Sequence, residues 1–438
     1  MKKNLSVLFL ALFAFAFSQK KWSLQECVDY AAKNNLQVIS NQYNASLQSK
    51  NVDIARRDAL PGISGNINNL TNFGNTQGFQ GSIGRNDYFS NSASLGANVS
   101  VYNNGRIRKS AEKSQYDLDA SLLDVEKTKN DISLQIAQQY LQVLLNKEVK
   151  KITDEAVANA EKVLKRAKIT TEVGTTPKTV EAEATAGLAR EKQRQKSAEI
   201  DIQRSLFNLA TLLQLKEYQN FDVEEVILPG ALDAPLTSSE NIVDKAFENQ
   251  PQVKAAETRI LSAKKQIEIA KTAYYPTISA NAGVGTNYFD SFSSSNSQKF
   301  FNQYKDNFYQ QVSLAANIPI FNKGITKLHV EQAKISENIA RNTAEMQKQE
   351  VRQNVQKAYF DANANYEIYL SALESEKSAK LALDFAEKSY EAGRTTIYDL
   401  NTARNNYVNA QGSVSQAKYN YIFSTKLLNF YAGIPLSL

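Results

Sequence analysis

Side chains that commonly perform catalysis or bind metals are scarce in this chain. His329 is its only histidine and Cys27 its only cysteine. Catalytic zinc sites take three protein ligands, so these two residues do not predict a zinc site. We find no Ser, His and Asp arrangement typical of a nucleophilic triad, and no Walker loop for nucleotide hydrolysis. The residue types therefore predict a protein that is not an enzyme and that carries no metal or cofactor.

The composition limits the partners and the compartment. The 438 residues carry a net charge of +6 with no dense basic run, so nucleic acid is not an expected partner. A basic start and an apolar run lead to Ala16-Phe17-Ser18, whose small residues predict cleavage of a secretory signal at residues 1–18. No later stretch has about 20 consecutive apolar residues, so we expect an exported chain without a transmembrane helix.

The sequence repeats itself. Residues 54–64 return as 269–279, an offset of 215, and residues 94–105 return as 313–324, an offset of 219. The offset changes within a loop rich in Ser, Asn and Gly, where insertions are tolerated best. The chain therefore consists of two copies of one unit, joined near residues 216–240.

Each copy is expected to contain an opening helix, two strands, a long helix, a turn and a second long helix. The opening helices should run from about Leu24 to Ala59 and from about Glu240 to Tyr274. The first copy, 19–215, has strands at about 62–72 and 92–102 and long helices at about 105–172 and 177–214. An equatorial linker follows at 216–240. The second copy, 241–438, has strands at about 277–287 and 311–321 and long helices at about 324–392 and 396–430.

Four segments alternate apolar and polar residues with the period of a β-strand. They lie at residues 63–67, 93–101, 278–284 and 312–320. Such alternation is typical of a membrane barrel with lipid outside and water inside, and also of a half-buried soluble hairpin. The connecting loops at 71–92 and 286–311 are long, polar and contain aromatic residues, which favours the outer-membrane interpretation.

The helical segments after the strands are unusually long. No glycine or proline lies between Gly105 and Gly174 or between Gly324 and Gly393. At about 1.5 Å per residue, each uninterrupted helix would be about 100 Å long. Apolar residues recur at three-and-four spacing, which predicts coiled-coil packing with the polar faces in contact with water.

The number of strands predicts the assembly. Four strands cannot close a barrel, and unpaired strand edges are not tolerated in lipid. Two chains would give eight strands, a barrel filled by its own side chains, whereas three chains give twelve and open a lumen. We expect a mostly α fold with a transmembrane β-barrel, in which a trimeric 12-stranded barrel continues into a periplasmic α-helical barrel.

Two other interpretations fit parts of the pattern. One is a secreted trimeric coiled-coil protein with a structural or adhesion role, and the other is a soluble helical scaffold of the periplasm. The duplicated hairpins of membrane-type strands disfavour the first, because a stalk does not need such duplication. Heat-modifiable migration and outer-membrane fractionation would distinguish the second from a membrane protein.

The pattern resembles the TolC family of outer-membrane efflux proteins over nearly all of the mature chain. The repeat, the Pro61 and Pro276 segments and the Asn-x-Gly segments at 103–105 and 322–324 carry the resemblance, and Tyr-Glu-Ala-Gly-Arg-Thr-Thr-Ile-Tyr-Asp-Leu at 390–400 is the most specific part. It implies a homotrimer in outer-membrane lipid that serves as the passive exit duct of a tripartite efflux or type I secretion system. A periplasmic adaptor and an inner-membrane pump would open it. Small-molecule efflux is favoured as the commonest role.

The resemblance also implies a gate at the periplasmic end. Asp399 matches a position whose side chains ring the tunnel, and three carboxylates would attract cations. Thr402 occupies a position that is often acidic in the family. Tyr390 matches a tyrosine that bonds an acidic residue in the closed state, but that acidic position is Val180 here. The neighbouring Glu181, or Glu183, is a candidate partner for Arg394 instead.

The two helical turns are the implied contact sites for the adaptor. They comprise Val173, Gly174 and Thr175 in the first copy and Ala392, Gly393 and Arg394 in the second. Each glycine is placed to end a long helix in the left-handed conformation. The next helix should be capped by Thr176, with Pro177 in its first turn, or by Thr396, with Asp399 completing a capping box. A helical hairpin without any binding role would show the same turns.

Overall fold

The computed structural model describes residues 21–77, 83–85, 87–226, 232, 238–292 and 298–436. The signal sequence expected at 1–18, and part of the expected linker, lie outside these residues. Within them the chain is mostly helical. None of the helices in these residues is both long and apolar enough to cross a membrane.

The order of elements repeats the same unit twice. The first copy contains β1 (Lys21–Trp22), α1 (Leu24–Asn34), α2 (Leu36–Arg57), β2 (Gly62–Asn72), β3 (Asn75–Gln77), β4 (Ile83–Arg85), β5 (Tyr88–Tyr102), α3 (Arg106–Glu172), α4 (Lys178–Leu212) and β6 (Asp222–Val223). The second contains α5 (Ser239–Asn249), α6 (Pro251–Lys271), a 3-10 turn (Thr272–Tyr274), β7 (Thr277–Ser291), α7 (Phe300–Asp306), β8 (Tyr309–Asn317), α8 (Ile325–Glu391) and α9 (Ile397–Tyr431).

The opening helix of each copy is broken, whereas the sequence predicted one continuous helix. Asn35, between α1 and α2, has an extended backbone with ψ 127°. Its side-chain oxygen accepts a hydrogen bond from the Gln37 amide at 2.9 Å. Gln250 has ψ 123°, because Pro251 disfavours the helical conformation of the residue before it. The expectation of unbroken opening helices was therefore wrong at the same place in both copies.

The main sheet combines the hairpins of both copies. Its strand order is β2-β5-β7-β8, and every pair is antiparallel. The central pair joins the copies, with Asn98 of β5 opposite Asn281 of β7. The outer strands β2 and β8 each have one neighbour among the described residues, so each has an unpaired edge.

Three strands differ in length from the expectation. β5 begins at Tyr88 and β7 continues to Ser291, so several aromatic residues expected in loops lie in strands. The rings of Tyr88 and Phe289 are 5.0 Å apart, and such cross-strand aromatic pairs stabilise the extended pairing. β8 ends at Asn317, before Pro319, which has no amide hydrogen to donate to a neighbouring strand.

The chain forms two compact units. The first comprises the described parts of residues 1–43, 122–254 and 345–438. Its apolar interior includes Val243 and Ala246 of α5 packed with Val351 and Val355 of α8. This unit contains the turns between α3 and α4 and between α8 and α9.

The second unit comprises the described parts of residues 44–121 and 255–344, and contains the sheet. Its helical segments are joined by polar contacts, including an ion pair between Lys265 Nζ and Glu112 Oε2 at 3.0 Å. The outer strands expose apolar side chains: Ile63 and Ile67 of β2 are 74% and 76% exposed, and Val312 of β8 is 84% exposed. The sheet therefore has apolar side chains that the described residues do not cover.

Candidate functional site

The first long helix ends at a left-handed glycine. Gly174 has φ +71°, a conformation that residues with a β-carbon rarely adopt. The Gly174 amide donates to the Thr171 carbonyl at 3.1 Å, and the Thr175 amide donates to the Thr170 carbonyl at 2.9 Å. These bonds satisfy carbonyls at the end of α3, as the sequence predicted for a C-terminal glycine.

Thr176 does not cap the next helix. The capping position of α4 is Pro177, which makes no side-chain cap hydrogen bond. The Thr176 hydroxyl donates to the Thr170 hydroxyl at 2.9 Å and lies 3.2 Å from that of Thr171. The predicted cap was wrong by one residue, because the Thr176 side chain finds its partners at the end of α3.

The second turn follows the prediction. Gly393 has φ +69°, and the Arg394 amide donates to the Ser389 carbonyl at 2.9 Å. Thr396 caps α9 in a capping box with Asp399, in which each side chain bonds the other residue's backbone amide. The turn thereby fixes the orientation of the Asp399 carboxylate.

Asp399 is an exposed carboxylate held by three hydrogen bonds. Its Oδ2 accepts from the Thr396 hydroxyl at 2.7 Å, the Thr395 hydroxyl at 2.9 Å and the Thr396 amide at 3.2 Å. These bonds, the Thr396 hydroxyl above all, lower the pKa of Asp399 below its usual value of 3.8. Asp399 therefore remains negatively charged even in moderately acidic solution.

An apolar cluster packs the two hairpins together near these turns. Ala167 of α3, Ala184 of α4 and Ile397 of α9 are buried in it, and Val180 and Tyr390 pack against them. Tyr390 thus shares this cluster with Val180, which occupies the position where the family resemblance expects an acid. Because that residue is valine, its side chain packs against the same apolar cluster as Tyr390 and offers no hydrogen-bond acceptor.

A cation that sequence reasoning missed lies beside Tyr390. The Arg166 guanidinium carbon is 5.8 Å from the centre of the Tyr390 ring, and Arg166 Nη1 is 3.6 Å from Glu391 Oε1. The structure shows no ion pair between Arg394 and Glu181 in the part of the chain that it describes, and Glu181 lies in the first turn of α4. The charged contact between the hairpins at this point therefore comes from Arg166 of α3.

Two buried charges were also missed. Arg404 of α9 is 9% exposed and donates to Glu387 Oε1 at 2.9 Å. Glu191 of α4 is 7% exposed and accepts from Arg194 at 3.2 Å. Their spacing from apolar residues in the sequence indicated that both are buried. Arg404 follows Ile397 and Leu400 on one helical face, and Glu191 lies seven residues from both Ala184 and Ala198.

The remaining predicted site residues are exposed. Val173 is 71% exposed, and the Thr402 hydroxyl donates to the Tyr398 carbonyl of its own helix at 2.9 Å. The exposed turn residues are Val173, Gly174, Thr175, Ala392, Gly393 and Arg394. Across the described residues, no three His, Cys, Asp or Glu side chains are arranged to hold a metal ion. The arrangement suits a surface that contacts a partner and carries charge.

Comparison with a family model identifies this architecture. The model described as "Outer membrane efflux protein" matches residues 28–214 and 242–433, one segment in each copy. The match therefore includes both pairs of long helices and both turns.

Individual relatives and structures agree with that match. The pyoverdine export outer membrane protein OpmQ of Pseudomonas putida is 23% identical over 72% of this chain and 64% of its own length. Outer membrane protein TolC of Escherichia coli is 27% identical over 37% of this chain and 33% of its own length. Both matches thus span less than two thirds of the relative. The Campylobacter jejuni CmeC outer membrane channel superposes with a TM-score of 0.76 at 19% identity, covering 94% of this chain and 85% of CmeC.

Proposed function

The chain belongs to the outer membrane efflux protein family and is an outer-membrane protein, and from this premise we propose that three copies of it form a passive exit duct. The observation that carries the proposal is the four-stranded sheet, in which β2 and β8 each have an edge with no partner strand among the described residues. Strand edges in lipid need hydrogen-bond partners, and sister chains can supply them. Three chains contribute twelve strands, which is enough to enclose a lumen.

Exposed apolar side chains support contact of the chain with lipid and with other copies of itself. Val312 and Leu314, on the same face of β8, are 84% and 74% exposed, which suits contact with lipid hydrocarbon. On α8, Ile335 and Ile339 are 60% and 62% exposed and lie one turn apart, which suits helix packing against a second copy. The duct would therefore be a barrel in the outer membrane that continues into a helical barrel in the periplasm.

The turns are the proposed periplasmic gate and docking site. Three Asp399 carboxylates around the trimer axis would form a ring that attracts cations, with Thr402 one turn further along α9. Tyr390 and Arg166 would hold the hairpins together in the closed state. Arg394 and Glu181 would flank the gate. The exposed turn residues would receive the helical tips of a periplasmic adaptor. An inner-membrane pump would provide the energy.

The proposed cargo is a small molecule. The name of OpmQ describes pyoverdine export, and that of the Pseudomonas aeruginosa protein AprF describes alkaline protease secretion. The match to OpmQ covers 72% of this chain and the match to AprF 44%, which favours the small-molecule role over protein secretion.

The test is to purify the full chain from outer membranes. Native mass spectrometry should give a trimer, and planar bilayers should show single channels of uniform conductance. Co-purification with a periplasmic adaptor and an inner-membrane pump of the same cell, and export of small molecules that depends on all three, would support the tripartite role. A monomer that does not conduct would refute the duct.

A further inference from the structure

A small cavity lies between helices of the two copies, beside charged side chains that the proposed duct does not use. Its volume is about 20 Å³. Residues of α3 line one side, and the others come from α4 and α9: Gly187, Leu188 and Glu191, and Asn401, Arg404 and Asn405. All of these residues belong to the same compact unit.

Glu191 has an unsatisfied oxygen at this cavity. Its Oε1 accepts from Arg194 Nη1 at 3.2 Å. Its Oε2 is buried and has no hydrogen-bond partner among the described residues. A buried carboxylate oxygen without a donor is costly, so a small donor beside it would stabilise the fold.

The volume and the charges determine which donor fits. A cavity of about 20 Å³ has room for about one water molecule. Glu191 is paired with Arg194, the buried Arg404 is paired with Glu387 at 2.9 Å, and Arg190 also lines the cavity, so the side chains around it already supply enough positive charge. A neutral donor therefore fits better than a cation. We infer that the cavity binds one water molecule, which donates to Glu191 Oε2 and joins α4 to α9.

The proposed water lies where α4 and α9 pack closely together. Arg194 of α4 donates to Asn405 Oδ1 of α9 at 3.1 Å. A β-carbon at Gly187 would lie 3.7 Å from Asn401 Nδ2, so the helices approach closely where the glycine has no side chain. Arg404 lies five residues after Asp399 on α9, and the bound water links the first copy to the helix that bears this carboxylate.

The direct test is a map of the wild-type full chain at about 2 Å resolution. We expect density for one water in the cavity, within hydrogen-bond distance of Glu191 Oε2. A guanidinium of Arg404 or Arg190 bonded directly to Oε2, with no density in the cavity, would overturn the inference.

A second test uses Glu191 variants. Glu191→Gln keeps an oxygen that can accept from the water, whereas Glu191→Leu removes it. In hydrogen–deuterium exchange, amides of residues 400–406 should exchange about tenfold faster in Glu191→Leu than in wild type. The increase in Glu191→Gln should be much smaller. The control Glu199→Leu, on the more exposed face of α4, should match wild type. Equal exchange in Glu191→Leu and wild type would contradict the site. Neither test needs a conducting channel, so the result is independent of the proposed duct.

Discussion

The guanidinium carbon of Arg166 lies 5.8 Å from the centre of the Tyr390 ring, while its Nη1 is 3.6 Å from Glu391 Oε1. Arg166 lies near the C-terminal end of α3, and Tyr390 lies in the last turn of α8, the corresponding helix of the other copy. A cation over an aromatic face is attracted by the ring quadrupole. This contact joins the two hairpins at the point where the resemblance predicted a bond from tyrosine to an acid.

Loss of the Arg166 contact should favour opening of the channel. An exposed cation–π contact contributes about 0.5–1 kcal/mol, so Arg166→Ala should raise the open fraction roughly two- to fivefold if the contact exists only in the closed state. Single-channel recording in planar bilayers measures that fraction. The control is Lys165→Ala, which removes an exposed cation one residue away. An open fraction for Arg166→Ala equal to that of the control would show that the contact does not restrain the gate.

Removal of the Asp399 charge should reduce the preference for cations. Asp399→Asn keeps the side-chain shape but removes the charge, so the reversal potential in a KCl gradient should move toward the value for a non-selective pore. Thr402→Val serves as the control, because Thr402 carries no charge and its hydroxyl donates to the Tyr398 carbonyl of its own helix. Unchanged selectivity in Asp399→Asn would remove the carboxylate ring from the proposed gate.

The pH dependence of selectivity should follow the pKa of Asp399. Hydrogen bonds from Thr396 and Thr395 lower this pKa below 3.8, so the charge and the cation preference should persist as pH falls from 7 to about 4. Selectivity should be lost only as pH falls through the depressed pKa. Thr395→Val removes one donor and should shift this loss to higher pH. Identical pH profiles for Thr395→Val and wild type would count against this role of the hydroxyl.

A charge on the exposed face of β8 should prevent membrane insertion. Leu314 is 74% exposed on the proposed lipid face, and an arginine there would cost about 2–4 kcal/mol near the bilayer midplane. Leu314→Arg should therefore lower the trimer yield in outer-membrane fractions severalfold or more. The neighbouring Ser313 points to the other face, so Ser313→Arg should insert nearly normally. Equal yields from the two variants would mean that Leu314 does not face lipid.

The single cysteine should be unreactive in the folded protein. Cys27 is fully buried, and burial, with a smaller contribution from Glu26, raises the pKa of its thiol to about 12. At pH 8 the thiol is therefore protonated as well as inaccessible, and a maleimide should label it only after unfolding. The exposed variant Ala182→Cys is the positive control and should gain one label in the native state. Rapid native labelling of wild type at Cys27 would show that this region opens readily.

Local patterns predicted much of the architecture. The period-two segments formed strands, and the stretches without glycine or proline formed the long helices α3 and α8. Gly174, Gly393 and the Thr396–Asp399 capping box were also readable, because backbone conformation and capping depend on a few neighbouring residues. The breaks at Asn35 and Gln250 were missed, although the two positions are separated by 215 residues, the offset of the repeat.

By itself, the sequence determined the duplication, the element types and the turn chemistry, since each is set by residues within a few positions of one another. Only the tertiary structure decided which strands pair, with β5 beside β7, and which charges meet. Arg194 and Asn405 are 211 residues apart, and the contact of Arg166 with Tyr390 spans a similar separation. Such contacts depend on how distant helices pack against each other, and the spacing of residues along one helix does not specify its partner.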